Sequence, residues 1–284
     1  MKLAVDIGGT NIRLAIINGK EIIKRDSIIS EPNDFEKNFS EILNVTNNWN
    51  YEIDSIGICC PGPFDPITGI IINSNNLPGW NNIPLRDRFQ KAYKIKNIKL
   101  DNDANIAALG QYIVRNNLHS LLYFTISTGI GAGYVNNGKI LNGFKGTALE
   151  IANAIPDIYA KNPTKSGIEF VASGRNIFEN LKAKNIDISS TKDAFDLFKT
   201  KENQVVNSYF KHIEEKYIQF FSTAIYFFNP EIVVIGGSVA LNNKEWFIDI
   251  FEKVNEITSD IGYKTRLEFA LNLDDSTLIG CALM

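Results

Sequence analysis

Cysteine, histidine and surplus basic charge are all scarce in this chain, and each shortage rules something out. Three cysteines, Cys59, Cys60 and Cys281, are spread over 284 residues, the first two adjacent in an apolar run. That placement suits buried thiols in a reducing compartment better than a disulfide framework or a metal site. His119 and His212 are the only imidazoles, and neither lies near a cysteine in sequence. Lysine and arginine total 29 against 32 acids, giving a formal net charge of -3 and a pI near 5.6. Without a basic excess to displace counterions, no nucleic-acid partner is expected. No apolar run approaches the roughly 20 residues that cross a bilayer, so no membrane partner is expected either. The first residues have neither the charged and apolar regions of a signal peptide nor a transit pattern, which makes the cytoplasm the expected location.

What is present is an ordinary globular composition, 44% hydrophobic and 21% charged, at a length that holds one large domain or two α/β lobes. The organising stretch is residues 2–17, where two short apolar runs flank Gly8-Gly9-Thr10-Asn11. This reads as two strands joined by a tight turn. Paired glycines let the turn reach positive φ and leave no side chain between backbone N–H groups and a bound anion. Asp6 closes the first strand and Thr10 adds a hydroxyl; a carboxylate beside a phosphate cradle is what a magnesium–nucleotide complex requires. An ordinary Gly-Gly hairpin with a chance acid would look the same in isolation. The device recurs, however: residues 121–135 again run strand, turn, strand around Ser127-Thr-Gly-Ile-Gly-Ala-Gly133. Two copies point to a duplicated architecture gripping one ligand from both sides. A third glycine turn, Gly236-Gly237-Ser238, follows a buried strand and suits a nucleotide held close to the backbone.

Periodicity predicts a third strand over 21–29, a helix over 33–47, and a buried parallel strand over 55–60 that ends in Pro61-Gly62-Pro63. The loop of 61–82 carries Asn75-Asn76-Leu-Pro-Gly-Trp80. A tryptophan with paired amides suits a sugar, its C–H face on the ring and its hydroxyls on the amides; a tryptophan covering a sheet edge is the alternative. After a helix over 84–93, a strand at 98–100 delivers Asp101-Asn102-Asp103-Ala104-Asn105 to a helical run over 106–114. One such residue caps the helix. The others form a polar site at the C-terminal end of a strand, where α/β sheets bind ligands. An aspartate there suits proton abstraction from a hydroxyl, with an amide holding that hydroxyl.

Further on, 177–197 reads as a helical excursion, 204–228 as a long helix stopped by Asn229-Pro230, and 246–255 as a closing helix. By spacing alone, Glu150 and Glu169 look like solvated surface. No low-complexity linker separates the halves. A hinge near 110–117 would divide an N-terminal α/β lobe, 1–112, from a C-terminal one, 113–274, with a small-residue helix at about 275–284 packing back on the first. Two lobes closing on a nucleotide and a sugar would keep water from the reaction.

Asp6-Ile-Gly-Gly-Thr-Asn11, Pro61-Gly62-Pro63, Asn75-Asn-Leu-Pro-Gly-Trp80, Asn102-Asp-Ala-Asn105, Thr128-Gly-Ile-Gly-Ala-Gly133 and Ile235-Gly-Gly237 occur in this order over nearly the whole chain. The combination resembles the ROK family (repressor, open reading frame, kinase) of sugar kinases and repressors, in the actin-like ATPase superfamily. The resemblance implies an α/β chain with the two-lobed actin-like (ribonuclease H-like) ATPase fold, its mixed sheets flanked by helices. It implies an ATP- and magnesium-dependent kinase of a sugar 6-hydroxyl. Asp103 would be the general base, with Asn102 bonding the same part of the sugar. Gly8, Gly9, Thr10, Asn11, Thr128 and Gly129 would hold phosphates, Asp6 would reach the metal directly or through water, and Gly236, Gly237 and Ser238 would lie against the adenosine. Gly62, Asn75, Asn76, Gly131, Glu150, Asn153 and Glu169 would join Asn102 and Asp103 around a hexose or amino sugar.

The family's zinc ligands, one His and three Cys, are missing. Asn153 stands where the His is expected, and the Cys-rich loop is reduced to Asn162-Pro-Thr-Lys-Ser-Gly-Ile-Glu169. A zinc-free protein is therefore expected, with that loop held by packing. The lost His also touches the sugar in the family, which leaves the C1–C2 end open. Glucose is the leading substrate because the Asn-Leu-Pro-Gly-Trp loop looks like that of ROK glucokinases; N-acetylmannosamine or fructose is the alternative. A sugar-responsive regulator is disfavoured because the motif starts at Asp6, leaving no upstream helix-turn-helix, and the charge is wrong. An actin-like ATPase acting on a protein would lack the Asn102-Asp103 pair and the sugar loop. ROK relatives often form dimers, so a homodimer is among the expected partners.

Overall fold

The computed structural model describes residues 1–284 apart from Pro63, Pro66, Ile67, Asn73, Asn75, Asn76 and Tyr263. It is a mixed α/β protein with two five-stranded sheets. The chain forms two compact units, one of Met1–Leu118, Gly133–Ala148 and Leu271–Met284, the other of His119–Ala132 and Leu149–Ala270.

In the first unit, β1 (Lys2–Ile7), β2 (Asn11–Asn18) and β3 (Glu21–Ile29) form an antiparallel meander. After α1 (Phe35–Asn47) comes β4 (Ser55–Cys59), then α2 (Leu85–Tyr93), β5 (Ile98–Asp101) and α3 (Asp103–Arg115). The sheet order is β3-β2-β1-β4-β5, with β1, β4 and β5 parallel. Central β1 is buried along nearly its whole length, as a strand covered on both faces must be. Edge strand β3 exposes the consecutive charges Lys24, Arg25 and Asp26 to water, which blunts further pairing. Side chains of a strand alternate between faces. Leu3, Val5 and Ile7 accordingly join Phe35, Phe39 and Phe89 on one side, while Ala4, Ala15 and Cys59 meet Ile106, Leu278 and Cys281 on the other. Trp80 is fully buried in the first of these cores, edge-on to Phe35 at 4.9 Å. It is a core residue, and of the two readings open to it the packing one holds.

The second unit begins with β6 (Ser120–Ile126) and the start of β7 (Ile130–Asn136), the chain passing between units within β7 before β8 (Lys139–Ile140). Helices α4 (Ile168–Ala172), α5 (Gly174–Ala183), α6 (Thr191–Thr200) and α7 (Gln204–Phe228) follow. Then come β9 (Ile232–Gly236), α8 (Ser238–Asn242), α9 (Lys244–Ile257) and β10 (Arg266–Phe269). The second sheet has the order β10-β9-β6-β7-β8. An aromatic cluster welds α6, α7 and α9, with Phe210 stacked on Phe198 at 4.3 Å and Tyr217 edge-on to Phe247 at 5.3 Å.

The last helix, α10 (Leu273–Leu283), belongs to the first unit and lies along α3. The approach is close enough that a Cβ on Gly110 would meet the Ser276 carbonyl at 2.0 Å, and Gln111 donates to Ser276 Oγ at 2.7 Å. The first unit takes in more of the chain than 1–112 and 275–284. Tyr112 Oη donates to the Leu118 carbonyl at 2.7 Å, tying 113–118 to α3, and a Cβ on Gly133 would lie 2.7 Å from the Ala104 carbonyl. Strand β10 carries no clear apolar alternation and was not anticipated; its pairing with β9 makes it a strand.

Candidate active site

Parallel pairing of β1, β4 and β5 puts their C-terminal ends side by side. Asp6 is opposite Cys59, and Cys59 is opposite Asp101. The first glycine turn, Gly62 and the Asp101–Asn105 segment therefore emerge along one edge of one sheet, the position at which open α/β sheets bind ligands.

Neither Gly8 nor Gly9 uses positive φ, contrary to expectation. Glycine is needed at position 8 for closeness: Gly8 N donates to the Asn11 carbonyl at 3.0 Å, and a Cβ would stand 2.9 Å from that oxygen. The turn leaves Thr10 and Asn11 exposed. Asp6 shares a face with Ala4 and is 5% exposed. It pairs with Arg13, its register partner on β2, which also reaches Asp274 on α10. Asp6 Oδ2 is the oxygen that faces Arg13 Nη2 in that ion pair. A buried carboxylate at the strand end beside the glycine turn is the donor type that a magnesium ion carried mainly by phosphates would use. Arg13 and Arg25, which the sequence reading passed over, line a cleft of about 720 Å³ beside the glycine turn.

The four polar residues at the end of β5 and the start of α3 divide their work. Asn102 caps α3, its Oδ1 accepting from Asn105 N at 2.7 Å; this starts the helix at Asp103, ahead of the expected 106. Asp101 accepts from Asn105 Nδ2 and from Asn102 N, both at 2.8 Å, so that pair is spent on structure. Among the described residues Asp103 Oδ1 takes only Ala104 N, at 2.8 Å. Its side chain is open to solvent, yet the dense protein around it raises its pKa above the ordinary carboxylate value, and the Asp6 carboxylate adds to the rise against the pull of the Ala104 N–H. The result is a reachable carboxylate with raised basicity. Behind it, burial pushes the Cys60 thiol up to about 12, so it stays protonated and inert. All three cysteines are buried and free.

In the second unit, β6 and β9 run parallel with Thr125 opposite Gly236. This register places the second and third glycine turns next to each other, Ser127 Oγ lying 2.9 Å from Ser238 Oγ. Gly237 has φ +89, and a Cβ there would lie 2.4 Å from the Ile126 carbonyl, so glycine is required on both counts. Thr128 and Ser127 carbonyls accept from Arg175 N and Gly174 N at 3.2 and 2.8 Å, docking the turn on the start of α5. Beside Ser238 opens a cavity of about 390 Å³ lined by Thr191 and Phe195 of α6 and by Asn242 and Asn243. Sequence reasoning missed these residues because α6 shows only an amphipathic pattern; nothing local marks it as a pocket wall.

Glu169 is not idle surface. Its Oε2 accepts from Ile130 N at 2.8 Å, and Gly129 leaves room for it, since a Cβ there would stand 2.8 Å from that oxygen. Gly131 is the second residue of β7, and Glu150 is exposed. Asn153 Oδ1 accepts from Gly167 N at 2.8 Å and from Ser166 N at 3.2 Å, while its Nδ2 donates to the Pro163 carbonyl at 3.1 Å. Hydrogen bonds thus hold the 162–169 loop, where packing was expected, and the amide keeps little capacity for a sugar. Asn75 and Asn76 lie outside the described residues. Among the described residues no group of three His, Cys, Asp or Glu side chains is gathered to hold a metal, and no helix is long and apolar enough to cross a membrane.

The chain is 32% identical over 267 residues to the glucokinase of Halalkalibacterium halodurans, spanning 84% of this chain and 80% of that one. It is 27% identical over 288 residues to the N-acetylmannosamine kinase of Haemophilus influenzae, spanning 99% and 93%. The crystal structure of a ROK hexokinase from Thermus thermophilus superposes with a TM-score of 0.88 at 24% identity, covering 99% of this chain and 96% of that one, so the fold implied by the motifs is the fold present. The ROK family pattern matches residues 2–284, and the chain belongs to the ROK family.

Proposed function

We propose that this protein transfers the terminal phosphoryl group of ATP to the 6-hydroxyl of a hexose, glucose first. The observation that carries this is the division of labour after β5, which leaves Asp103 as a reachable carboxylate of raised basicity beside the Gly8–Asn11 turn. Asp103 takes the proton from the sugar hydroxyl as its oxygen attacks phosphorus and ADP departs. Asn102 holds that hydroxyl with its Nδ2, its Oδ1 being committed to the cap. Gly8, Gly9, Thr10, Asn11, Thr128 and Gly129 cradle phosphates with backbone and hydroxyl donors. Gly236, Gly237 and Ser238 lie against the adenosine, and the adjoining cavity walled by Phe195 and Asn242 takes its base. Asp6 would hold magnesium, which would neutralise phosphate charge when bound. On the sugar side we assign Gly62 of the first unit and Gly131, Glu150 and Glu169 of the second.

Little covalent chemistry is asked of the protein; positioning and charge stabilisation do the rest. The similarity to a glucokinase at 32% identity supports glucose. The similarity to an N-acetylmannosamine kinase at 27% supports that sugar as the second reading, with fructose behind it. A coupled ADP-release assay across glucose, mannose, fructose, N-acetylglucosamine and N-acetylmannosamine tests this. Turnover is expected with glucose; strict preference for N-acetylmannosamine selects the second reading, and silence on all five overturns the kinase assignment.

A further inference from the structure

Position 153 is where the resemblance calls for a zinc-binding His, and the residues present do not fit zinc. Its amide oxygen is committed to two backbone N–H groups, and no thiol lies on the loop it holds. We infer that Asn153 is a metal-independent staple, a positioning residue that sets Glu150 and Glu169 for the sugar.

The segment it sits on is strained. Leu149 at φ +60 and Ile155 at φ +48 bracket it, and a β-branched residue in the left-handed region persists only where its surroundings hold it there. What holds it is visible on both sides of Asn153. The Ile168 and Glu169 N–H groups donate to the Ala154 and Ala152 carbonyls at 2.9 and 3.0 Å, so 152–154 and 167–169 lie back to back. Gly167 permits that approach: a Cβ there would stand 2.4 Å from Asn153 Cα. Between these backbone bonds, the Asn153 amide bridges Pro163, Ser166 and Gly167. Buried Ser166 closes the far side, its Oγ accepting from Asp157 N at 2.9 Å and donating to the Pro163 carbonyl at 2.9 Å.

Glu169 follows Gly167 by two residues and braces the second glycine turn through Ile130 N. Glu150 lies three residues before Asn153 inside the same strained segment, so one side chain ties together the two segments that carry the glutamates. A zinc ion would do this with four ligands; here an amide does it with three hydrogen bonds, and no chelator removes it.

The effect on sugar handling rests on the kinase reading, whereas the staple itself does not, and the experiment separates them. Asn153→Ala strips the amide partner from Ser166 N and Gly167 N. Hydrogen exchange on the full chain should show those two amides exchanging at least about tenfold faster, while the sheets keep their protection. In kinetics, KM for sugar should rise about tenfold or more with KM for ATP within about twofold. Asn153→Asp keeps the acceptor oxygen and should recover part of the protection; it also serves if the alanine variant does not fold. Gly167→Ala, which touches neither glutamate, should reproduce the same KM split by wedging the two segments apart. Unchanged exchange at Ser166 and Gly167 overturns the staple, as does an equal rise of both KM values. If no sugar is phosphorylated, the exchange result still decides the staple and only the kinase reading falls.

Discussion

Asp103→Asn separates proton acceptance from every other duty at this position. Asparagine retains an oxygen for Ala104 N, now met at 2.8 Å, and leaves the Asn102 cap untouched. Only the charge and the basic oxygen are lost. A general base contributes about 10²–10⁴-fold, which is about 2.7–5.4 kcal/mol of barrier. Turnover should fall by at least that factor while sugar and ATP still bind. Stability should move the other way. The carboxyl's folded pKa is raised, chiefly by desolvation and further by Asp6, so the charged form opposes folding. The stability it contributes is whole below the unfolded value of about 3.9 and is lost as pH rises through the folded value. At neutral pH the asparagine variant should therefore melt at the same temperature as the parent or higher, and the gap should close below the ordinary carboxylate range. Coupled ADP release, sugar titration calorimetry and melting curves across pH read all three. Near-normal turnover would remove Asp103 from the mechanism; a clear loss of melting temperature at neutral pH would refute the electrostatic account.

In the parent, the acid limb of kcat/KM should fall at a pH above the ordinary carboxylate range, because the base must be ionised and its pKa is raised; a limb at or below about 3.9 contradicts this. Trp80→Ala should cost about 3–5 kcal/mol in denaturant unfolding with the sugar KM of the folded fraction unchanged, since Trp80 is fully buried against Phe35; a shifted KM with intact stability would return it to the sugar site. Exhaustive removal of zinc with magnesium restored should leave melting temperature and activity in place, and collapse on chelation would sink the hydrogen-bonded loop. In the native protein at pH 8, Cys60 should resist alkylation that proceeds readily in urea, its thiol being buried and pushed up to about 12; fast native labelling would refute that burial.

Strands and helices were legible because their signals are short-range. The apolar repeat that becomes α7 and the glycines after β1, β6 and β9 announce themselves within a few residues. The family motifs gave the order of the site. They said nothing of how the Asp101–Asn105 residues share their bonds, nor of Arg13 pairing with Asp6 and Asp274. The pocket wall on α6 was equally silent, since Phe195 and Thr191 sit in an ordinary amphipathic repeat.

From the chain of residues alone came most of the strands and helices, though not β10, with the three glycine turns, the acid that follows β5 and the loss of the zinc ligands. Local backbone chemistry decides the elements and turns, because turns, caps and periodicity act over no more than a turn of helix or a hairpin, whereas the missing zinc ligands are read against the family's motif. Folding alone decided which partner each polar group takes. Asp274 lies 261 residues from Arg13, and Gly167 lies 14 from Asn153. A carboxylate or amide is chemically able to bond many neighbours, and only packing selects the one within reach.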